Sequence, residues 1–286
     1  MPHGGTARVA EALRDANVID ARLAFRVALL LTARAGPIHA AELAFPAHAS
    51  LREVLEVLRT GHPVEHRLTI PEGLTARQIT ALLEHADALT GSVAVLDEGD
   101  VLPDTYSYEY GTVRAALLAR AELAEIRTLA AAWAARAPGL PLASPREALI
   151  LASIVERETA RPEERAHVAA VFLNRLRLGM RLQADSTVVY AASSGLGVLD
   201  HPLTRAELEQ DSPYNTYRNR DLPPGPICAP GLASLHAVLH PAASDDLYFV
   251  ADGTGGHVFA RTLSQHETNV KRWRDLEGGA PRRERD

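Results

Sequence analysis

One cysteine, Cys228, and one lysine, Lys271, stand in a chain of 286 residues. A single cysteine rules out an internal disulfide and any thiolate metal cluster built within one chain. The single lysine sits in the terminal helical segment, away from any motif, and this argues against pyridoxal-phosphate chemistry, which needs a Schiff-base lysine. Excess positive charge is missing as well. With a formal net charge of -6, the chain has no basic patch of the kind that nucleic acid or a polybasic membrane contact requires, and no nucleic-acid partner is expected. Long apolar runs are also absent: Leu23 to Ala33 is broken by Arg26 and falls short of the roughly 20 residues that span a bilayer. Met1 leads straight into Pro2, His3 and Gly4, without the basic and apolar regions of a signal peptide.

Several catalytic spacings are missing too. No HExxH, GxSxG or P-loop occurs. His236 and His240 are spaced i, i+4 but lack a carboxylate ligand, so no metal and no cofactor are expected. Gly253 to His257 joins two predicted strands and opens no helix, so it reads as a hairpin turn, not a phosphate loop.

What remains is an ordinary globular composition, 47% hydrophobic and 23% charged, large enough for one big core or two smaller ones. The alternation of helical and strand patterns predicts an α+β fold. A small α/β subdomain is expected over 1–64, a larger mixed α/β catalytic domain over 65–277 and a disordered tail over 278–286. Residues 2–13 and 71–82 echo each other, with Pro2, Gly4, Thr6, Ala7 and Arg8 recurring as Pro71, Gly73, Thr75, Ala76 and Arg77. Each copy predicts a tight turn and a Thr-capped helix. In the second copy the strand Glu65 to Ile70 precedes the turn; in the first, that strand would fall before Met1. Helix Ala21 to Arg34 and strand Ile38 to Phe45 then make a unit of the LysM type without its first strand, or a generic α/β subdomain. Further strands are expected at Ser92 to Leu96 and in a hairpin over Asp246 to Ala260. A loop is expected over Asp97 to Gly111, with Tyr106, Tyr108 and Tyr110 mostly packed on the core. A last helix is expected to be capped by Ser264 and Glu267.

The most informative stretch is Ser144 to Tyr190. Ser144, Pro145 and Glu147 form a helix start with a capping box. From Ala148 to Val155 every residue but Ser153 is apolar, so the helix is predicted to be buried nearly all round. Glu156 and Glu158 close it. At about 100° per residue they fall on different faces, Glu156 beside Leu149, Ala152 and Ser153, and Glu158 beside Leu151 and Ile154. An apolar setting and the negative helix end both raise a carboxyl pKa, as a general acid requires, so Glu156 is a candidate acid. The alternative is that it pairs with a buried arginine such as Arg157 or Arg175. Downstream, Arg181 to Thr187 brings together an amide, a carboxylate and hydroxyls. Residues 211–231 hold five prolines around Tyr214, Asn215, Thr216 and Tyr217, and long fixed loops of this kind are usually functional.

Several blocks then carry a resemblance. LASIVERET at 151–159, LNRLRLGMRLQADSTVVY at 173–190, YNTY, LPPGPI and APG within 214–231, and LYFVADGTGGHVF at 247–259 resemble the MltG/YceG-like endolytic peptidoglycan transglycosylases. IPEGLTARQI at 70–79 and LPDTYSY at 102–108 extend the match. The resemblance implies cleavage of the MurNAc to GlcNAc β-1,4 bond inside glycan strands, leaving 1,6-anhydro ends and limiting strand length. It implies a single catalytic glutamate, which falls on Glu156, with Glu158, Arg175 and His257 in support. Gln183, Asp185, Thr187, Tyr214, Asn215, Thr216 and Tyr217 are the candidates to bind N-acetyl groups and hydroxyls. It also implies a LysM-like N-terminal part, a tether to the cytoplasmic membrane facing outward, and contact with cell-wall synthases such as penicillin-binding proteins. Two readings from other mechanisms stay open: a hydrolytic muramidase in which Asp185 activates water, and a non-catalytic wall-binding scaffold. Ser186 stands where a proline is common in the family, a departure expected to matter little.

Overall fold

A computed structural model describes residues 5–279. The fold is mixed α/β, mostly helical, with two small two-stranded sheets among the described residues. Two compact units divide the chain: residues up to Leu68 with Ala86–Ser92 and Thr105–Leu117 form the first, and the remainder forms the second. The first unit therefore runs four residues past the expected boundary at residue 64 and takes in two further segments.

In the first unit, α1 (Thr6–Asp15), α2 (Arg22–Leu31) and α3 (Leu51–Thr60) enclose a core of Val9, Leu13, Phe25, Val54 and Leu58. Helix α3 starts on a capping box in which the Ser50 side chain accepts from Glu53 N–H and the Glu53 carboxylate accepts from Ser50 N–H. Helix α1 differs from expectation. Its N-cap is Gly5, with no side-chain bond, and Thr6 is already helical. The predicted strand Ile38 to Phe45 does not form, although His39 N–H donates to Leu58 O and Glu42 O accepts from Val64 N–H. Strand β1 (Glu65–Thr69) instead pairs with β2 (Thr105–Glu109), which lies inside the segment predicted to be a loop. Tyr106 and Tyr108 on β2 are buried, whereas Tyr110 is exposed. The Ser92 to Leu96 strand is also absent, and Val95 is 95% exposed. Pro2 to Gly4 lie outside the described residues.

The second unit is built on three helices. α4 (Ala76–Glu84) is capped by Thr75 in a box with Gln78, as the echo predicted. Then α5 (Arg114–Ala134, from Leu118 on in this unit) leads to α6 (Pro145–Glu158), α7 (Arg165–Arg177), α8 (Asp185–Ala192), the short α9 (Arg205–Leu208) and α10 (Leu232–Leu239). Helices α6, α7 and α10 pack on one another around Leu151, Ile154, Val155, Phe172, Leu173 and Val238. Every residue of α6 from Ala148 to Val155 is buried, as its near-continuous apolar pattern requires. Its start is half a capping box: Ser144 Oγ accepts from Glu147 N–H, but the Glu147 carboxylate takes Ala143 N–H.

Ser153, the one polar residue in the run, has a use. Its hydroxyl donates to Ile150 O and accepts from Ile227 N–H at 3.0 Å, while Cys228 Sγ donates to Ser153 O. The end of the proline-rich loop is thereby stitched to the core helix. Strands β3 (Tyr248–Ala251) and β4 (His257–Ala260) form the expected antiparallel hairpin, with Phe249 opposite Phe259. Its turn is closed by Asp252, whose carboxylate accepts from Thr254 N–H and Gly256 N–H, and Gly253 and Gly255 take the left-handed conformations the turn needs. The last helix, α11 (Leu263–Gly279), begins two residues earlier than expected. Thr262 and Gln265, not Ser264 and Glu267, make its N-terminal bonds. Residues 278 and 279 of the expected tail are thus helical, and 280–286 lie outside the described residues.

Candidate active site

Helix α6 ends by delivering two carboxylates, two residues apart, into different surroundings. Glu156, with 8% of its side chain exposed, lies 3.4 Å from Arg165 Nη2 and accepts from Gly231 N–H at 3.0 Å. Glu72 flanks the same guanidinium at 4.0 Å. Burial and the Glu156 charge raise the Glu72 pKa, against the pull of Arg165. The approach is close: a Cβ on Gly231 would sit 1.9 Å from Glu72 Oε1, so a larger residue at the start of α10 would displace the Glu72 side chain. Glu72, Arg165, Leu232 and His236 line an open groove of about 640 Å³. The arginine partner is therefore Arg165, not Arg157 or Arg175. Arg157 donates to Gly73 O and Gly197 O, and Arg175 to Leu247 O and Leu182 O. The ion-pair reading of Glu156 holds, with a different cation.

Glu158 faces the opposite way. It lines a pocket of about 450 Å³ together with Arg175, Gln183, Asp185, Tyr217 and Tyr248. Four of the residues singled out from the sequence thus converge on Glu158 and not on Glu156. Its Oε1 accepts from Ser186 Oγ at 2.6 Å. Burial raises its pKa first, the Ser186 hydrogen bond opposes this, and the charge of Asp185 raises it again. A carboxyl whose pKa is raised by burial, in a cleft with convergent polar groups, has the properties of a proton donor.

The walls are rigidly held. Asp185, the first residue of α8, accepts from Tyr217 Oη at 2.5 Å, and burial followed by that bond raises the Tyr217 pKa. Gln183 adopts φ +53°, and Arg175 Nη1 reaches its Oε1 at 3.4 Å while binding the carbonyls of Arg181 and Leu182. The Arg175 guanidinium also lies 5.2 Å from the centre of the Tyr248 ring. On the hairpin side, His257 Nδ1 is 2.7 Å from Glu164 Oε2, and its backbone N–H donates to the other oxygen. Burial works against the Glu164 charge, yet these bonds hold its pKa below the usual carboxylate range.

With this geometry in hand, comparison with known proteins is decisive at the level of the family. A model of the YceG-like family matches residues 2–272. The chain belongs to the YceG-like family. Among its relatives, an endolytic murein transglycosylase of Bacillus subtilis is 46% identical over 118 residues, covering 41% of this chain and 32% of that protein. One of Streptococcus pneumoniae is 31% identical over 271 residues, covering 77% of this chain and 48% of that protein. The chain thus spans between about a third and about a half of the length of these relatives. The crystal structure of a yceG-like protein from Listeria monocytogenes matches with a TM-score of 0.58 at 28% identity, covering 94% of this chain and 97% of that one.

In this YceG-like chain the remaining candidates are placed elsewhere. Thr187, Asn215 and Thr216 are buried, and their polar atoms are consumed internally. Thr187 Oγ1 donates to Ala184 O and lies 2.9 Å from Thr216 Oγ1, which accepts from Ala184 N–H. Asn215 donates to Leu208 O and Gln210 O and accepts from Tyr217 N–H. They correct the expectation of ligand contact: they shape the loop that presents Tyr217 and Gln183. Tyr214 packs at a tilt against Tyr190, whose hydroxyl donates to Glu98, and neither residue lines the pocket. His236 and His240 stack on each other, with ring centres 4.5 Å apart.

Two contributors escaped sequence reasoning. Leu263, His266, Val270 and Trp273 of α11 line the Glu158 pocket, and His266 stacks on Tyr248. Their spacing, at i, i+3, i+7 and i+10, is a helical stripe that pattern analysis had the means to find. Ser186 is the other. Its hydroxyl donates to Glu158, a bond that a proline, with neither hydroxyl nor N–H, does not offer.

Proposed function

We propose that this chain is an endolytic murein lytic transglycosylase in which Glu158 is the lone acid and base. The observation that carries the reading is the Glu158 carboxyl, raised by burial, in a pocket that gathers Gln183, Asp185, Tyr217 and Arg175. Protonated Glu158 gives its proton to the glycosidic oxygen between MurNAc and GlcNAc, and the C1–O bond breaks through an oxocarbenium-like state. Ionised Glu158 then takes the proton of the MurNAc C6 hydroxyl as O6 closes on C1, leaving a 1,6-anhydro end. Because the nucleophile is part of the substrate, the paired carboxylates of ordinary glycosidases are not required. The names of the two bacterial relatives support the same activity.

Asp185 bears on the hydrolytic alternative. One of its oxygens is already engaged by Tyr217, which favours a positioning role over activation of water. The aromatic rings of Tyr217, Tyr248 and Trp273 offer faces for sugar rings. Such a substrate puts the action in the cell envelope, with peptidoglycan strands as ligand, and the tether to the cytoplasmic membrane and the contact with cell-wall synthases remain part of this proposal. No helix among the described residues is long and apolar enough to cross a membrane. A LysM-like, glycan-binding role for residues 1–64 belongs to the same reading.

The test is digestion of intact glycan strands by wild type, Glu158→Gln and Glu156→Gln, with mass spectrometry of the chain ends. Anhydro ends from wild type and Glu156→Gln, and none from Glu158→Gln, are expected. Reducing ends would sink the transglycosylase reading in favour of a muramidase, and unchanged turnover by Glu158→Gln would move the proton donor elsewhere. Glycan retention by a protein that releases no product would point to a scaffold.

A further inference from the structure

A lone acid and base faces a conflict. It must hold a proton to break the bond and lose it to finish the reaction, so neither form can be favoured too far. Around Glu158 the forces are divided. The enclosing pocket and the Asp185 carboxylate favour the neutral form. Opposing them is the first turn of α8, where Ser186 offers both its hydroxyl, at 2.6 Å from Oε1, and its backbone N–H. A helix N-terminus adds a positive field to the same end.

We propose that Ser186 is a positioning residue that sets the proton balance of the site: its hydroxyl pins the Glu158 carboxyl to the first turn of α8 and favours the ionised form that must accept the substrate's C6 proton. The inference rests on the reading of Glu158 as the acid and base.

The geometry supports an adjustable bond. Ser186 Oγ donates to Glu158 and to no other described group, and the residue is half-buried, so the hydroxyl is held but can rotate. When Glu158 carries the proton the hydroxyl accepts or turns away; when Glu158 is ionised it donates. The neighbouring donors have no such freedom. Tyr217 is committed to Asp185, His257 to Glu164 and Arg175 to backbone carbonyls.

The groups that face this carboxyl come from every element around it. Helix α8 contributes Asp185 and Ser186, α7 Arg175, the turn before α8 Gln183, and the loop Tyr217. His257 on β4 acts on it by charge, while Tyr248 on β3 and His266 on α11 complete the pocket. Of these, Asp185, His257, His266 and the tyrosines titrate, so an activity profile alone does not isolate Glu158.

The experiment therefore combines two readouts on wild type, Ser186→Ala, Ser186→Thr and Glu158→Gln. The alanine variant keeps the backbone N–H and improves helix propensity, so it deletes only the hydroxyl. Carboxyl-carbon NMR titration, with the Glu158 signal assigned by its loss in Glu158→Gln, is expected to move up by at least about half a pH unit in Ser186→Ala, and to return towards wild type in Ser186→Thr. The alkaline limb of kcat/KM moves with it. The kcat plateau falls roughly three- to tenfold, because a more tightly held proton is a poorer acid.

A Glu158 titration and an alkaline limb that stay in place in Ser186→Ala overturn the inference, whatever happens to the rate. An equal rate loss in Ser186→Ala and Ser186→Thr without a titration shift would show packing alone and overturns it too. Full activity of Glu158→Gln would instead remove the underlying assignment, and the NMR titration still reads the Ser186 bond in that case.

Discussion

Glu156 and Glu158 differ by two residues in one helix and by almost everything else. Glu156 is almost fully buried, and Arg165 and the Gly231 N–H already engage its oxygens. Glu158 points into a pocket where Ser186 is its hydrogen-bond donor and the other polar groups are arranged around open space. The first arrangement uses a carboxylate to hold structure together; the second leaves one available for chemistry. Rotation by about 200° around a helix axis is enough to separate the two roles.

The strongest way to break this comparison is to remove each carboxylate in turn. Glu158→Gln is expected to lower glycan cleavage by about 10²- to 10⁴-fold, the usual worth of a general acid. Glu156→Gln is expected to cost less than roughly tenfold, with the loss appearing mainly as a lower melting temperature. The reverse ranking, measured by release of soluble muropeptides, would return the catalytic role to Glu156.

Removing the cation on the structural side should hurt the fold more than the chemistry. Arg165→Met leaves Glu156 and Glu72 facing each other with only the Gly231 N–H to offset the Glu156 charge. Breaking a buried pair by losing one partner is expected to cost about 3 kcal/mol in chemical denaturation. The double variant Arg165→Met/Glu156→Gln should recover part of that loss. A double variant as unstable as the sum of the singles would mean that the pair contributes nothing.

A third carboxyl sharpens the point that a shifted pKa does not make a site. Glu125 on α5 is buried, its Oε1 has no hydrogen-bond partner, and its pKa is raised to about 7 by burial, then by the charge of Asp100, against Arg146. It lines neither the Glu158 pocket nor the groove beside Arg165. Its folded pKa exceeds the unfolded value, so its neutral form suits the fold. The fold is then favoured most below pH 4.5 and loses this contribution as pH rises towards 7. Glu125→Gln should accordingly stabilise the protein above pH 7 by roughly 2 kcal/mol, have little effect near pH 4, and leave cleavage unchanged. A denaturation midpoint that does not respond to pH in the wild type, or a lost activity in the variant, would refute this.

Much of the second unit was legible because its signals are local. The near-continuous apolar run of α6, the Ser144–Pro145 start, the Thr75 cap and the Gly-rich hairpin turn each carry their own physical cause in adjacent residues. The site was legible as a set of residues but not as a set of directions. Gln183, Asp185, Tyr217 and Arg175 were identifiable, yet which glutamate they surround depends on where α8 and the 211–231 loop pack, and no periodicity reports that. Thr187, Asn215 and Thr216 looked like ligand contacts because polar density alone does not separate a satisfied interior from an open wall. Strands fared worst. Ile38 to Phe45 has the composition of a strand but forms none, and β2 was hidden in a loop because its partner, β1, is 40 residues away in the chain.

The smallest predicted effect separates two copies of one sequence pattern, as Glu156 and Glu158 separate two copies of one side chain. Thr6 and Thr75 stand at matching places in the echo, but only Thr75 closes a capping box, with its hydroxyl accepting from Gln78 N–H and Gln78 Oε1 accepting from Thr75 N–H. Thr6 lies inside α1, behind Gly5. Thr75→Ala is therefore expected to lower stability by about 1 kcal/mol, whereas Thr6→Ala, which adds helix propensity and removes no cap, should change it by less than about 0.5 kcal/mol. Because Thr75 also lies under Gly197, with Cγ2 2.7 Å from where a Cβ there would stand, Thr75→Ser keeps the cap while opening that contact. Serine close to wild type would assign the loss to the cap; serine as unstable as alanine would assign it to the methyl group, and the echo would then differ in packing, not in hydrogen bonding.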